Sequence, residues 1–117
     1  MALEGFYKIE DIVRTENGWQ ADLTLIAGHD IYSGHFPEKA VVPGMCTLTV
    51  IREVLSKILE KQIMFTYIRE CKFLSALLPE NDIRLRLDIG YSEGKVKCVV
   101  SEGESPAMKL SAEISEI

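Results

Sequence analysis

Residues 32–59 read YSGHFPEKAVVPGMCTLTVIREVLSKIL. A turn-rich stretch carrying Gly34, His35, Phe36 and Pro37 leads within a few residues to Val42, Pro43 and Gly44, and then to an apolar run with helical spacing. Proline suits a helix start because its fixed φ and missing N–H cost nothing there. Gly44 beside it leaves the first N–H groups of the helix open to an incoming oxygen. The stretch therefore sets a histidine a short loop away from a bare helix N-terminus, an arrangement suited to holding a carbonyl and removing a proton beside it.

The helix is expected from near Pro43 to about Lys61, roughly 27 Å long at 1.5 Å per residue. Leu48, Ile51, Val54, Leu55, Ile58 and Leu59 make its apolar face. Thr49, Glu53, Ser56 and Glu60 fall on the opposite face by their spacing of three and four. The apolar face must lie on the chain's own sheet, so the Thr49–Glu53 face is expected to point away from it, towards solvent or a partner chain.

Working outward, residues 5–15 suggest a first strand and Glu16-Asn17-Gly18 a turn. Trp19, Ala21, Leu23 and Leu25 alternate with polar neighbours, the period of a half-buried strand. Residues 27–40 hold Gly28, Asp30, Gly34 and Pro37, and are expected to form a loop too long for mere connection. After the helix, residues 62–74 alternate loosely, and 75–81 form a connection with Pro79. Ile83, Leu85, Leu87, Ile89 and Tyr91 alternate with Arg84, Arg86 and Asp88. Ser92-Glu93-Gly94 marks a hairpin into Val96, Cys98 and Val100. Gly103-Glu104-Ser105-Pro106 marks a second, into Met108, Leu110, Ala112 and Ile114. The order β-β-α-β-β-β-β, with one dominant helix and hairpin-linked strands, predicts an α+β domain with an antiparallel sheet around the helix.

The 117 residues are read as one domain, 1–117. A chain of this size buries a modest core, so dimerisation would add stability. A net charge of −5 argues against binding nucleic acid, and means that an acidic partner needs a local basic patch. Arg84, Arg86, Lys95, Lys97 and Lys109 read as outward-facing strand residues; the sequence does not select which subset would serve such a partner. Cys46, Cys71 and Cys98 are scattered, without metal-ligand or redox spacing, and read as reduced thiols of a cytoplasmic protein. No signal segment, membrane span, metal site or cofactor is expected.

His35-Phe36-Pro37 followed by Val42-Pro43-Gly44 resembles the H-F-P-G-x-P-x-x-P-G motif of hot-dog-fold β-hydroxyacyl-[acyl carrier protein] dehydratases of the FabZ type. Lys72-Phe73, Leu78-Pro79 and Asp82 resemble that family's K-F-x-x-P-V-x-P-G-D segment, and Ser111-Ala112-Glu113-Ile114 its closing strand. The departures are specific. Glu38 and Ala40 replace a motif glycine and proline, Asn81 a later glycine, and the L-P-H-R-Y-P-F opening is missing. The catalytic carboxylate fourteen residues after the histidine is Thr49 here.

The resemblance implies a hot-dog fold, a sheet wrapped around one long helix, usually paired into dimers. It implies dehydration of a β-hydroxyacyl thioester carried by acyl carrier protein or coenzyme A in fatty-acid or polyketide/polyene-type biosynthesis. His35 would be the base, and the N–H groups of Gly44 and Met45 the oxyanion donors. Phe36, Val42 and Pro43 would shape the pocket, and Thr49 would stand at the acid position. Glu53, one turn beyond Thr49 on the same helix face, reads first as a solvated or interface charge and second as a substitute acid. Two alternatives accompany the dehydratase reading. One is a hot-dog thioesterase, directing water at the carbonyl. The other is a catalytically incomplete subunit in a heterodimer with an active homologue.

Overall fold

The computed structural model describes residues 5–27, 42, 44–78 and 82–117. Seven elements follow in the expected order: β1 (Tyr7–Arg14), β2 (Gly18–Leu25), α1 (Gly44–Leu59), β3 (Ile63–Phe73), β4 (Ile83–Ser92), β5 (Lys95–Glu102) and β6 (Ser105–Glu116). The strands form one antiparallel sheet in the order β1-β2-β4-β5-β6-β3. β1 and β3 are its edges.

The alternation read from the sequence sets which face is buried. Ala21, Leu23 and Leu25 of β2 stand opposite Leu87, Leu85 and Ile83 of β4, and all six are buried. Val96, Cys98 and Val100 of β5 meet Ala112, Leu110 and Met108 of β6 in the same way. These rows lie in one core with α1, whose Ile51, Val54 and Leu55 are fully enclosed. Each such side chain contributes about 1.5–3 kcal/mol by leaving water.

The helix turns a slightly different face inward from the one expected. Its buried residues are Cys46, Thr47, Val50, Ile51, Val54 and Leu55, while Leu48, Ile58 and Leu59 pack at the margin. The helix ends in a Schellman arrangement: Lys61 N–H donates to Ser56 C=O (3.1 Å) and Glu60 N–H to Lys57 C=O (3.3 Å). Glu60 takes the left-handed conformation (φ 55°) that glycine usually supplies there. Ser56 Oγ also accepts from Ile63 N–H at 3.2 Å, tying the helix end to β3.

The turn between β4 and β5 has the geometry of its hairpin. Glu93 (φ 49°) and Gly94 (φ 78°) both have positive φ, the type I′ geometry that matches strand twist. Gly18 answers a different need. A Cβ there would lie 1.9 Å from the carbonyl oxygen of Ile89, so β2 and β4 meet at a point only glycine fits.

The edges differ in character. β1 presents Lys8, Glu10, Asp11 and Arg14. β3 is interrupted by two bulges and leaves Met64, Tyr67, Ile68 and Phe73 exposed, Tyr67 and Phe73 by more than half.

Candidate functional site

The site builds up around the first residue of α1. The N–H groups of a helix's first turn have no intrahelical acceptor, and they carry the positive end of the macrodipole. No acidic side chain lies in the first turn of α1 to compete for them. Val42 N–H donates to Leu77 C=O at 2.9 Å, fixing the chain just before the helix against the segment that follows β3. Leu74 N–H in turn donates to Ala107 C=O at 2.8 Å, anchoring that segment to β6. The result is a recess of about 370 Å³ whose walls include Val42, Gly44, Thr47, Phe73, Leu77 and Met108.

Phe73 sets the clearance above Gly44. A Cβ built on Gly44 would stand 2.6 Å from Phe73 Cζ and 2.8 Å from Cε1. The ring therefore rests on the glycine backbone at the helix start, with 58% of the residue still exposed. Glycine at this position does two things: it bares the N–H groups and it admits the ring.

Of the residues singled out from the sequence, Val42 and Gly44 are brought together here. Met45 follows in the helix, strongly exposed. His35, Phe36 and Pro43 lie outside the described residues, as does nearly all of the expected 27–40 loop.

Thr49 and Glu53 lie elsewhere on the helix, away from the walls of this recess. The Thr49 hydroxyl donates back to Met45 C=O at 2.8 Å, so its proton is engaged within the helix. Glu53 Oε1 accepts the phenol proton of Tyr7 at 2.9 Å. This corrects the expectation that the Thr49–Glu53 face points away from its own sheet. Edge strand β1 flanks the helix and reaches Glu53 through Tyr7. Burial first, and then the hydrogen bond and charge of Glu53, push the Tyr7 hydroxyl well above its ordinary pKa. It therefore remains a proton donor to Glu53 across the physiological range.

Tyr7 and Phe73 were not assigned site roles from the sequence. Tyr7 sits in a strand whose alternation is weak, and nothing local links it to a residue 46 positions away. Phe73 belongs to the Lys72-Phe73 motif, but that resemblance gives it no role at the helix start. The larger hollow, about 1060 Å³, lies at the other end of the sheet, beyond Leu59. Arg14 there stacks over Trp19 (4.6 Å), and Trp19 packs obliquely on Tyr91 (6.1 Å). Its lining mixes Lys95, Arg69, Glu93 and Glu113, and among the described residues it shares none with the recess at the helix N-terminus.

The three thiols are free: Cys46 and Cys98 buried, Cys71 half-buried. Burial, with a contribution from Asp88, pushes Cys98 up to about 12. Among the described residues no group of three or more His, Cys, Asp or Glu is placed to hold a metal ion. No described helix is long and apolar enough to cross a membrane.

Comparison with known proteins agrees with this architecture. The 3-hydroxyacyl-[acyl-carrier-protein] dehydratase FabZ of Macrococcus caseolyticus is 28% identical, over 94% of this chain and 83% of its own length. FabZ of Bacillus velezensis is 25% identical, over 78% of this chain and 71% of its own. Among solved structures, the dehydratase heterocomplex ApeI:P from Xenorhabdus doucetiae superposes with a TM-score of 0.73 at 18% identity, covering 93% of this chain and 97% of the matched one. An uncharacterized protein from Erwinia carotovora gives 0.69 at 22% identity, covering 94% of each chain. These neighbours share the hot-dog fold expected from the sequence. The family model of the ApeI dehydratase matches residues 11–111, and the chain belongs to the ApeI-like dehydratase family.

Proposed function

We propose that this protein dehydrates β-hydroxyacyl thioesters, as the names of its FabZ relatives describe for them. The observation that carries the reading is the bare start of α1 beneath Phe73, at the end of the His35-Phe36-Pro37…Val42-Pro43-Gly44 motif. His35 takes the proton from the carbon next to the thioester carbonyl, since an imidazole titrating near neutrality serves as a base at physiological pH. The N–H groups of Gly44 and Met45 hold the carbonyl oxygen as it gains charge. One such fixed donor is worth about 3 kcal/mol in the transition state. The C–H electrons form the new C=C bond, the C–O bond breaks, and the departing hydroxide needs a proton to leave as water.

Thr49 does not supply that proton: its hydroxyl is a weak acid, and it is already donated to Met45 C=O. The proposal assigns the acid role to Glu53, one turn further on and held by Tyr7. Among the described residues, the recess at Gly44 and the hollow beside Glu53 share none within one chain. In this reading the acid acts across a dimer, on a thioester bound by the other protomer. The exposed apolar residues of edge strand β3 suit it to pairing with a second chain.

A second reading rests on the same hydrogen bonds. With Thr49 turned back on its own helix and Glu53 tied to β1, the chain would be an incomplete subunit that takes its acid from an active homologue. That a fold neighbour is a dehydratase heterocomplex supports it. The two readings separate with the purified protein alone, offered a β-hydroxyacyl thioester while enoyl absorbance is followed. The first predicts turnover that falls about 10²- to 10⁴-fold in Glu53→Gln. Turnover unaffected by Glu53→Gln refutes that assignment of the acid. No turnover alone, with turnover restored by an active homologue, establishes the second.

A further inference from the structure

The connection between β3 and β4 holds both ends of the segment that carries His35. On the entry side, Ala27 N–H donates to Asp82 Oδ1 at 2.8 Å. On the exit side, Val42 N–H donates to Leu77 C=O at 2.9 Å. Ala27 and Val42 bracket residues 28–41, His35 among them, while Leu77 and Asp82 stand five positions apart. The connection is itself fastened. Leu74 N–H donates to Ala107 C=O of β6, and the Leu77 side chain is buried in the core. Asp82 directly precedes Ile83, which pairs with Leu25 of β2.

A side-chain acceptor just past the last pair of a ladder serves, at the least, to satisfy an end donor. Here the chain is held from two sides up to the point where the His35-bearing segment begins. Beyond Leu25, Ile26 N–H donates to Phe6 C=O at 2.9 Å on the β1 side, and Ala27 N–H to Asp82 on the β4 side. Among the described residues no cation lies within ion-pair distance of Asp82, so its carboxylate serves this N–H and not an ion pair. The exit tie lies two residues before Gly44, and Leu77 also lines the Gly44 recess. One short connection thus reaches the entry of the segment, its exit and the wall of the recess.

From this arrangement we propose that Asp82 is a positioning residue for the base. Its carboxylate fixes where the His35-bearing segment leaves β2, and with Leu77 C=O it ties both ends of that segment to one connection. The inference rests on the dehydratase reading, in which His35 removes the proton. A base must meet its proton within hydrogen-bond reach, and a displacement of about 1 Å can cost about 10²-fold in rate. A segment tied at both ends samples fewer arrangements than one tied at a single end.

The test combines amide hydrogen exchange with turnover of a β-hydroxyacyl thioester, on the wild type, Asp82→Ala, Asp82→Asn and Asp22→Ala. Asparagine keeps an acceptor oxygen in place, and alanine removes it. Asp22→Ala deletes a carboxylate of equal charge, with its contact to Arg86 (2.9 Å), from the outer face of the same strand β2. In Asp82→Ala, exchange at residues 27–41 should be at least about tenfold faster, while the ladder amides of β4 and β5 keep their protection. Its kcat should fall at least about tenfold with KM little changed, because Asp82 does not line the Gly44 recess. Asp82→Asn and Asp22→Ala should stay within about threefold of the wild type in both readouts. Unchanged exchange or unchanged kcat in Asp82→Ala, or the same losses in Asp82→Asn or Asp22→Ala, overturns the proposal. Faster exchange confined to Asp82→Ala, in a protein that forms no enoyl product alone or with an active homologue, leaves the tie standing and removes the dehydratase reading instead.

Discussion

Gly44→Ala separates the two duties of this glycine. The added methyl would stand 2.6, 2.8 and 3.3 Å from three ring atoms of Phe73. Comfortable carbon contacts begin near 3.5 Å, so the ring must retreat by about 1 Å. It can do so cheaply: Phe73 is 58% exposed, and its displacement costs about 0.5–1.5 kcal/mol of rotamer strain and lost contact. Alanine returns part of that, up to about 1 kcal/mol in a helix interior and less at the first residue. Stability should therefore change by no more than about 1 kcal/mol, about 4 °C in Tm.

Activity should respond differently. The N–H of residue 44 survives, but the methyl and the displaced ring alter the recess in which the thioester carbonyl must meet it. Removing an oxyanion donor outright costs about 10²- to 10³-fold. Misplacing the substrate against a retained donor should cost at least about tenfold. Thermal denaturation and turnover on one preparation give both numbers, and Gly44→Ala/Phe73→Ala completes a double-mutant cycle. Relief of the stability cost in the double variant is expected. A loss above about 3 kcal/mol in Gly44→Ala, or turnover unchanged by it, would refute the reasoning.

Three further outcomes follow from the geometry. Gly18→Ala should destabilise by at least about 3 kcal/mol in a denaturant titration, because its Cβ would fall 1.9 Å from a backbone oxygen that β4 cannot withdraw. Tyr7→Phe should cost about 1 kcal/mol at neutral pH by removing the hydrogen bond to Glu53. Because the folded state raises the Tyr7 pKa, the tyrosine's contribution is complete below pH ~10 and lost as pH rises beyond it, so Tyr7→Phe should flatten the alkaline fall in stability. A thiol reagent at neutral pH should label Cys71 in the folded protein while Cys46 and Cys98 react only on unfolding, as a time course with and without denaturant would show.

The sheet was legible because its information is local. Alternation from Trp19 to Leu25 and from Ile83 to Tyr91 states which face is buried, and Ser92-Glu93-Gly94 states where the chain reverses. The helix N-terminus was legible for the same reason, since Pro43-Gly44 carries the signal in two residues. The contacts that complete the site are long-range. Phe73 meets Gly44 across 29 positions and Tyr7 meets Glu53 across 46, and no spacing rule connects either pair. The inward face of the helix also differs at its start: the apolar pattern points to Leu48, whereas the residues buried there are Cys46, Thr47 and Val50.

The central claim is best tested by the identity of the product. Purified protein is given a β-hydroxyacyl thioester, with enoyl absorbance and free thiol followed in parallel and His35→Ala as control. Enoyl product without free thiol is expected, lost when His35 is replaced. Release of thiol without enoyl product, or enoyl formation at an undiminished rate in His35→Ala, would overturn the dehydratase reading.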